Sequence, residues 1–157
     1  MMADENRNIH ATGICINGQG VIITGPSGSG KSDLALRLID RGAKLISDDR
    51  VIISIFANDI TLKQAPNIEG KIEVRGIGIL CVPAVTNIIL RMHVDLKAKA
   101  ERLPDQPSDQ HVAGISIPTI AISAFEASAP IKVEMALTSI VEKAIMPHVI
   151  NTSGVKN

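Results

Sequence analysis

Aromatic residues are almost missing from this chain: two Phe, no Tyr and no Trp among 157 residues. Recognition of RNA or single-stranded DNA relies on aromatic side chains that stack on bases, so that class of partner is excluded. The same scarcity leaves any bound nucleobase to aliphatic contacts or to solvent. An excess of one charge is missing too. The chain has 16 basic and 16 acidic residues and a formal net charge of +0, so no long-range field draws it to nucleic acid or to an anionic membrane. Cysteine is scarce. Cys15 and Cys81 each lie in an apolar run without metal-ligand spacing, and both are expected to be reduced core thiols. No apolar run approaches a membrane span, and no basic head precedes an apolar stretch; the expectation is a cytoplasmic protein without a membrane partner. What remains is ordinary for a globular domain, 45% hydrophobic and 20% charged, enough to bury one core at this length. Residues 1–157 are expected to form a single domain, with 1–8 and 151–157 as loose polar tails.

One octapeptide departs from this plain background. Gly25, Pro26, Ser27, Gly28, Ser29, Gly30, Lys31 and Ser32 spell the phosphate-binding P-loop pattern, Gly, four free positions, then Gly-Lys-Ser. Val21 to Thr24 before it is a β-branched run suited to a buried strand. Asp33 to Arg41 after it forms a helical stretch with Leu34, Leu38 and Ile39 on one face, closed by Gly42. Strand, glycine turn and helix are what the chemistry requires. Glycines let backbone N–H groups turn inward around phosphate oxygens, and the helix N-terminus adds positive potential. Lys31 is then expected to reach the β- and γ-phosphates of ATP, and the Ser32 hydroxyl to hold Mg²⁺.

Around this motif the chain alternates short β-like runs with two helical stretches. Ile9 to Ile16 is expected to be one strand, turning at Asn17–Gly20 into an antiparallel partner, the strand before the P-loop. Lys44 to Ser47 is a strand placed beside that P-loop strand, and it ends at Asp48-Asp49. The helix from Lys31 to Arg41 carries the chain about 16 Å away from the loop, and a four-residue strand returns it by roughly 13 Å. The two carboxylates therefore arrive at the loop mouth, where they can meet Mg²⁺ or an incoming hydroxyl. Further strands are expected at Arg50 to Phe56 and Ile60 to Leu62, joined by a turn at Asn58-Asp59. Lys71 to Val74 and Ile77 to Val82 flank Arg75-Gly76, and Asn87 to Val94 and Ser116 to Ser123 complete the set. Lys97 to Val112 reads as a loop, and Ile131 to Met146 as an amphipathic helix. Glu73 and Arg75, two apart, share a strand face and either line one pocket or pair in solvent. His10 is within reach of the phosphates from its strand, although a strand His is commonly a surface residue. Arg102 is either an anion clamp or a solvated loop charge. Many strands with two helices predict a mixed sheet rather than an all-parallel one. Guanine-nucleotide switch motifs, the Leu-Ser-Gly-Gly segment of transport ATPases and the protein-kinase motifs are all absent.

Taken together, these stretches resemble the catalytic domain of HPr kinase/phosphorylase. The resemblance covers His10 to about Ile122. It rests on the P-loop, Arg41-Gly42, the segment Leu45-Ile46-Ser47-Asp48-Asp49-Arg50-Val51 and the stretch Ile72 to Leu80. It implies an α/β fold with a mixed β-sheet and a P-loop, like that of phosphoenolpyruvate carboxykinases. The implied activity is an ATP- and Mg²⁺-dependent protein-serine kinase acting on an HPr-like phosphocarrier, in a homo-oligomer expected to be a hexamer. Asp49 would orient the seryl hydroxyl and accept its proton, Lys31 would stabilise the moving phosphoryl group, and Ser32 and Glu73 would ligate Mg²⁺. His10 and Arg102 would act near the phosphates. The start just before His10 resembles the short, single-domain form. The family's basic loop after the last strand is replaced here by Ser123 to Ala129, which has no Lys or Arg; dominance of the kinase direction over dephosphorylation is therefore expected. A kinase for a small hydroxylated metabolite, or an ATP-sensing module without transfer, are the alternatives on the same scaffold.

Overall fold

The computed structural model describes residues 6–97 and 108–145. Its elements are β1 (Asn6–Ile9), β2 (Thr12–Ile16), β3 (Gln19–Thr24), α1 (Lys31–Asp40), β4 (Lys44–Ser47), β5 (Val51–Phe56), β6 (Asp59–Lys63), β7 (Lys71–Val74), β8 (Gly78–Cys81), β9 (Ile88–Leu96), β10 (Ser108–Val112), β11 (Ile115–Ile122) and α2 (Ala129–Ile145). The main sheet runs β1-β5-β6-β9-β3-β2-β4, with β11 added on β9 and β10 on β11, while β7 and β8 form a separate hairpin. Pairing is parallel for β3–β9 and β9–β11 and antiparallel elsewhere in this sheet. The chain is a mixed α/β fold, as its composition of elements predicts.

The central strands are buried on both faces, which explains their unbroken β-branched runs. Val21 and Ile23 face one core cluster with Leu34, Leu38, Val94 and Val133, and thus the helices. Ile22 faces the second cluster with Ile46, Ile53, Leu62 and Leu90. Strand β9 is the hinge of the sheet. One edge pairs with β3, while the other is shared, β6 taking Ile88 and Ile89 and β11 taking His93 to Leu96. Two strands dividing one edge make the sheet curl. Gly20 is required where β3 meets β9, because a Cβ there would lie 2.6 Å from the Ile89 carbonyl oxygen.

Helix α1 begins at Lys31 and buries Leu34, Ala35 and Leu38 completely, each large side chain stabilising the fold by about 1.5–3 kcal/mol. Arg41 at its end holds Glu134 of α2 through three hydrogen bonds of 2.8–3.0 Å. Helix α2 starts two residues before the predicted Ile131, with Pro130 in its first turn, where the missing N–H costs nothing. Its expected apolar face is borne out at Val133 and Leu137, both buried, and at Ile140 and Val141, packed on the same core.

Several local expectations change. The run Ile9 to Ile16 is two strands, since β1 pairs with β5 and β2 with β3 and β4, so the chain must bend at His10-Ala11. The turn between β2 and β3 is Asn17-Gly18, both with positive φ, as a two-residue hairpin requires. Strand β4 does not lie beside β3: β2 is inserted between them, and β4 pairs antiparallel with β2. The β5–β6 turn is Ala57-Asn58 rather than Asn58-Asp59, with Ala57 at φ 56°. Ser108 to Val112, read as loop, is an edge strand on β11. Cys15 is buried as expected, but Cys81 is exposed on the β8 edge, so it is no core thiol.

Candidate active site

The glycine-rich loop 25–30 leaves the end of β3 and enters α1 through Gly30, which holds φ 97°. A side chain is excluded at Gly30 on two grounds: the positive φ, and an added Cβ that would lie 2.8 Å from the Ala124 Cβ. Lys31 is buried, and its ammonium donates to the carbonyls of Gly25 at 2.9 Å and Pro26 at 3.3 Å. Within the same loop, the Ser29 hydroxyl is buried without a hydrogen-bond partner among the described residues. Loop, carboxylates and the β7–β8 hairpin surround one cleft of about 880 Å³.

Asp48 and Asp49 reach this cleft from the end of β4, and they point to different partners. Asp49 holds φ 64°, a left-handed conformation that Asp tolerates better than most residues. This twist separates the two side chains. Asp48 is buried and held by three donors: its Oδ1 accepts from Ser32 Oγ at 2.7 Å and Thr12 Oγ1 at 3.2 Å, and its Oδ2 accepts from the Glu73 N–H at 3.1 Å. Asp49 is open to the cleft. Its Oδ1 accepts from His10 Nε2 at 2.8 Å, with both side chains about two-thirds exposed, at 64% and 66%.

The structure thus joins Lys31, Ser32, Asp49, His10 and Glu73 around one space, together with Asp48. His10 lies in the bend between β1 and β2 and not on the strand itself, which frees its ring to swing toward Asp49. Glu73 and Arg75 both line the cleft. Glu73 has an exposed side chain and is tied to Asp48 through its backbone. Arg102 lies outside the described residues.

Thr12 is the residue that sequence reasoning missed. Fully buried, its hydroxyl donates to the Asp48 carboxylate and accepts the Asp49 backbone N–H at 3.1 Å, tying the Asp48 side chain and the Asp49 backbone to the neighbouring strand. Nothing distinguishes it in the sequence, because a Thr opening a strand is ordinary.

A second buried device lies under the loop. His93 of β9 sits between Thr24, the last residue before Gly25, and Thr119 of β11. The Thr119 hydroxyl donates to the Ile117 carbonyl, so His93 Nδ1–H donates to Thr119, and Nε2 accepts from Thr24 Oγ1 at 2.6 Å. Burial pushes the His93 pKa below its ordinary value of 6.5, against the opposing pull of Asp95. The unfolded chain binds this proton more readily than the native one, so stability contributed by neutral His93 is complete above pH 6.5 and declines as pH falls below it. Chemical-denaturation midpoints measured from pH 8 to pH 5 should fall with decreasing pH, and His93→Gln should flatten that slope.

Comparisons with known proteins point to one family. Residues 2–157 match the family model described as the HPr Serine kinase C-terminal domain. The chain is 32% identical over 161 residues to the HPr kinase/phosphorylase of Limosilactobacillus reuteri, covering 94% of this chain and 48% of that protein. It is 36% identical over 155 residues to the enzyme of the same name from Latilactobacillus sakei, covering 90% and 47%. The chain therefore spans about half the length of the curated relatives it matches. The solved Hpr(Ser) kinase/phosphatase structure from Coxiella burnetii superposes with a TM-score of 0.76 at 29% identity, covering 88% of this chain and 98% of that one. The chain belongs to the HPr serine kinase C-terminal domain family.

Proposed function

We propose that this chain is the catalytic domain of a protein-serine kinase that transfers the γ-phosphoryl group of ATP to an HPr-like phosphocarrier. The observation that carries the reading is the meeting of Lys31, Ser32, Asp48 and Asp49 in one cleft from two separate stretches of chain. In this reading loop 25–32 is a P-loop, and the fold is of the phosphoenolpyruvate carboxykinase type. Residues 1–157 act as one domain in a cytoplasmic homo-oligomer. Among the described residues no helix is long and apolar enough to cross a membrane.

Lys31 exchanges its two carbonyl partners for phosphate oxygens and neutralises charge that grows on the β–γ bridge. Asp49 accepts a hydrogen bond from the substrate serine and orients its oxygen toward the γ-phosphorus. As the new O–P bond forms and the bond from the γ-phosphorus to the bridging oxygen breaks, ADP leaves and the seryl proton passes to Asp49. His10, on the same carboxylate, holds Asp49 in place. The donors around Ser32 fit Mg²⁺: a hydroxyl and a carboxylate 2.7 Å apart are hard oxygen ligands. Among the described residues no cluster of three His, Cys, Asp or Glu side chains stands ready for a metal. Mg²⁺ in nucleotide sites commonly keeps water and phosphate oxygens in its shell beside one or two protein groups. Ser32, Asp48 and Glu73 would hold it, and it would supply charge neutralisation to the phosphates. The exposure of Asp49, beside an apolar rim at Ile77 that is itself 71% exposed, leaves room for a serine carried on a protein.

The test is incubation with labelled ATP, Mg²⁺ and a purified HPr-like carrier, then phosphosite mapping. Serine labelling is the expected result. Nucleotide binding without transfer to any carrier would make the chain a sensor. The reverse direction is expected to be weak, since loop 123–129 carries no cation and its basic neighbours are engaged: Lys132 pairs with Glu126 at 2.7 Å and Arg37 with Asp33 at 3.0 Å. A phosphoserine carrier with millimolar phosphate should release pyrophosphate far more slowly than the kinase turns over.

A further inference from the structure

Phe125 is one of only two aromatic residues in the chain, and it stands in the cleft with its side chain 67% exposed. Its position is set by the loop between β11 and α2. Ala124 beneath it is fully buried. The Arg37 guanidinium, projecting from α1, donates to the carbonyls of Ala124 and Glu126, on either side of Phe125. The Phe125 N–H donates to Ser123 Oγ at 3.3 Å, and Lys132 holds the Glu126 carboxylate. A loop pinned at both neighbours cannot fold the ring back into the core. The ring edge instead lies over Gly30: a Cβ built on that glycine would be 3.4 Å from Phe125 Cε1 and 3.5 Å from Cζ. The other aromatic, Phe56, ends β5 and does not line the cleft.

An exposed aromatic held rigidly at the rim of a phosphate-binding loop is a surface for a flat, apolar-faced group attached to the phosphates. We propose that Phe125 is the platform on which the base or ribose of the bound nucleotide rests. The inference rests on the P-loop reading of residues 25–32. It also departs from the expectation that a nucleobase here is left to aliphatic contacts or to solvent. Stacking on an aromatic ring tolerates any base, because every base has a π-face. Among the described cleft-lining residues none is Asn or Gln, so no side-chain amide is present to read a base edge.

The test separates contact with the base from contact with the phosphates. Binding of MgATP and of magnesium tripolyphosphate to the full chain is measured by calorimetry for the wild type, Phe125→Ala and Phe125→Trp. Phe125→Ala should weaken MgATP binding about tenfold, within the range for loss of one base-stacking contact, and leave tripolyphosphate binding unchanged. Phe125→Trp should restore MgATP affinity. Because the chain contains no other Trp, its emission should change on adding MgATP and stay constant with tripolyphosphate. The melting temperature of Phe125→Ala should match the wild type, since the ring is exposed. Unchanged MgATP affinity in Phe125→Ala would overturn the proposal. So would equal loss of MgATP and tripolyphosphate, which would make Phe125 a support for the loop. A wild-type chain that binds neither compound would overturn the P-loop reading itself, and this inference with it.

Discussion

Replacing Lys31 with Ala should reduce phosphoryl transfer by at least about 10²–10³-fold, the usual loss when one preorganised donor to a developing charge is removed. The ammonium is the cation that the glycine-rich loop itself contributes to the cleft, and its present partners are the Gly25 and Pro26 carbonyls within that loop. The fold should survive. Lys31 is buried, yet it belongs to neither apolar core cluster, and Leu34, Ala35 and Leu38 still anchor α1. Loss of its hydrogen bonds should cost about 1 kcal/mol, a drop of a few degrees in melting temperature. Steady-state transfer to the carrier and a thermal melt of the same preparation check both halves. A variant that unfolds at room temperature, or that turns over at the wild-type rate, would contradict this assignment.

Asp49→Asn should lower turnover by about 10²–10⁴-fold, the range for a positioned general base, with MgATP affinity nearly unchanged. The substitution is close to a pure test of proton acceptance. Asn tolerates the left-handed φ of 64° as Asp does, and its amide oxygen can still accept from His10 Nε2. Shape and hydrogen bonding are kept, and the charge and basicity are lost. Single-turnover transfer and equilibrium binding of MgATP separate the two effects. Equal losses in binding and turnover would make Asp49 a ligand for metal or nucleotide. The base role would then pass to Asp48, which would first have to release three donors.

The parts of this site differ in how far they can be read from the sequence. The octapeptide Gly25 to Ser32 is local: the phosphate binding proposed for it would be carried by backbone N–H groups of consecutive residues, so the spacing alone suggests it. Asp48-Asp49 was placed near the loop by a length argument, and the carboxylates do reach the cleft, although β4 pairs with β2 instead of β3. The carboxylates reach it because β4 still runs in the same direction as β3, so both strands end on the same side of the sheet. The different surroundings of the two Asp residues are not legible, since they depend on one positive φ and on a hydroxyl 36 positions away in sequence. In the sequence Phe125 is one residue of a loop without Lys or Arg. Its placement over Gly30 arises from Arg37 reaching 87 and 89 positions along the chain to pin the loop.

What the sequence alone determined is whatever depends on neighbours within a turn or two. The β-branched runs became strands, Asn17-Gly18 became a two-residue hairpin turn, and the periodic apolar faces of Leu34/Leu38 and Val133/Leu137 became buried helix faces. Local sterics and period decide these, and both are printed in the residues themselves. The tertiary structure alone decided which strands pair, that β9 divides one edge between β6 and β11, and that His10 lies in a bend because β1 turns away to β5. It also decided that Thr12 holds the Asp48 carboxylate and the Asp49 backbone N–H together and that Phe125 overhangs the loop. Such pairings are choices among many strands of similar β-branched character. They are settled by which arrangement buries both faces of β3 and β9 and satisfies their hydrogen bonds together, a condition on the whole chain that no single segment contains.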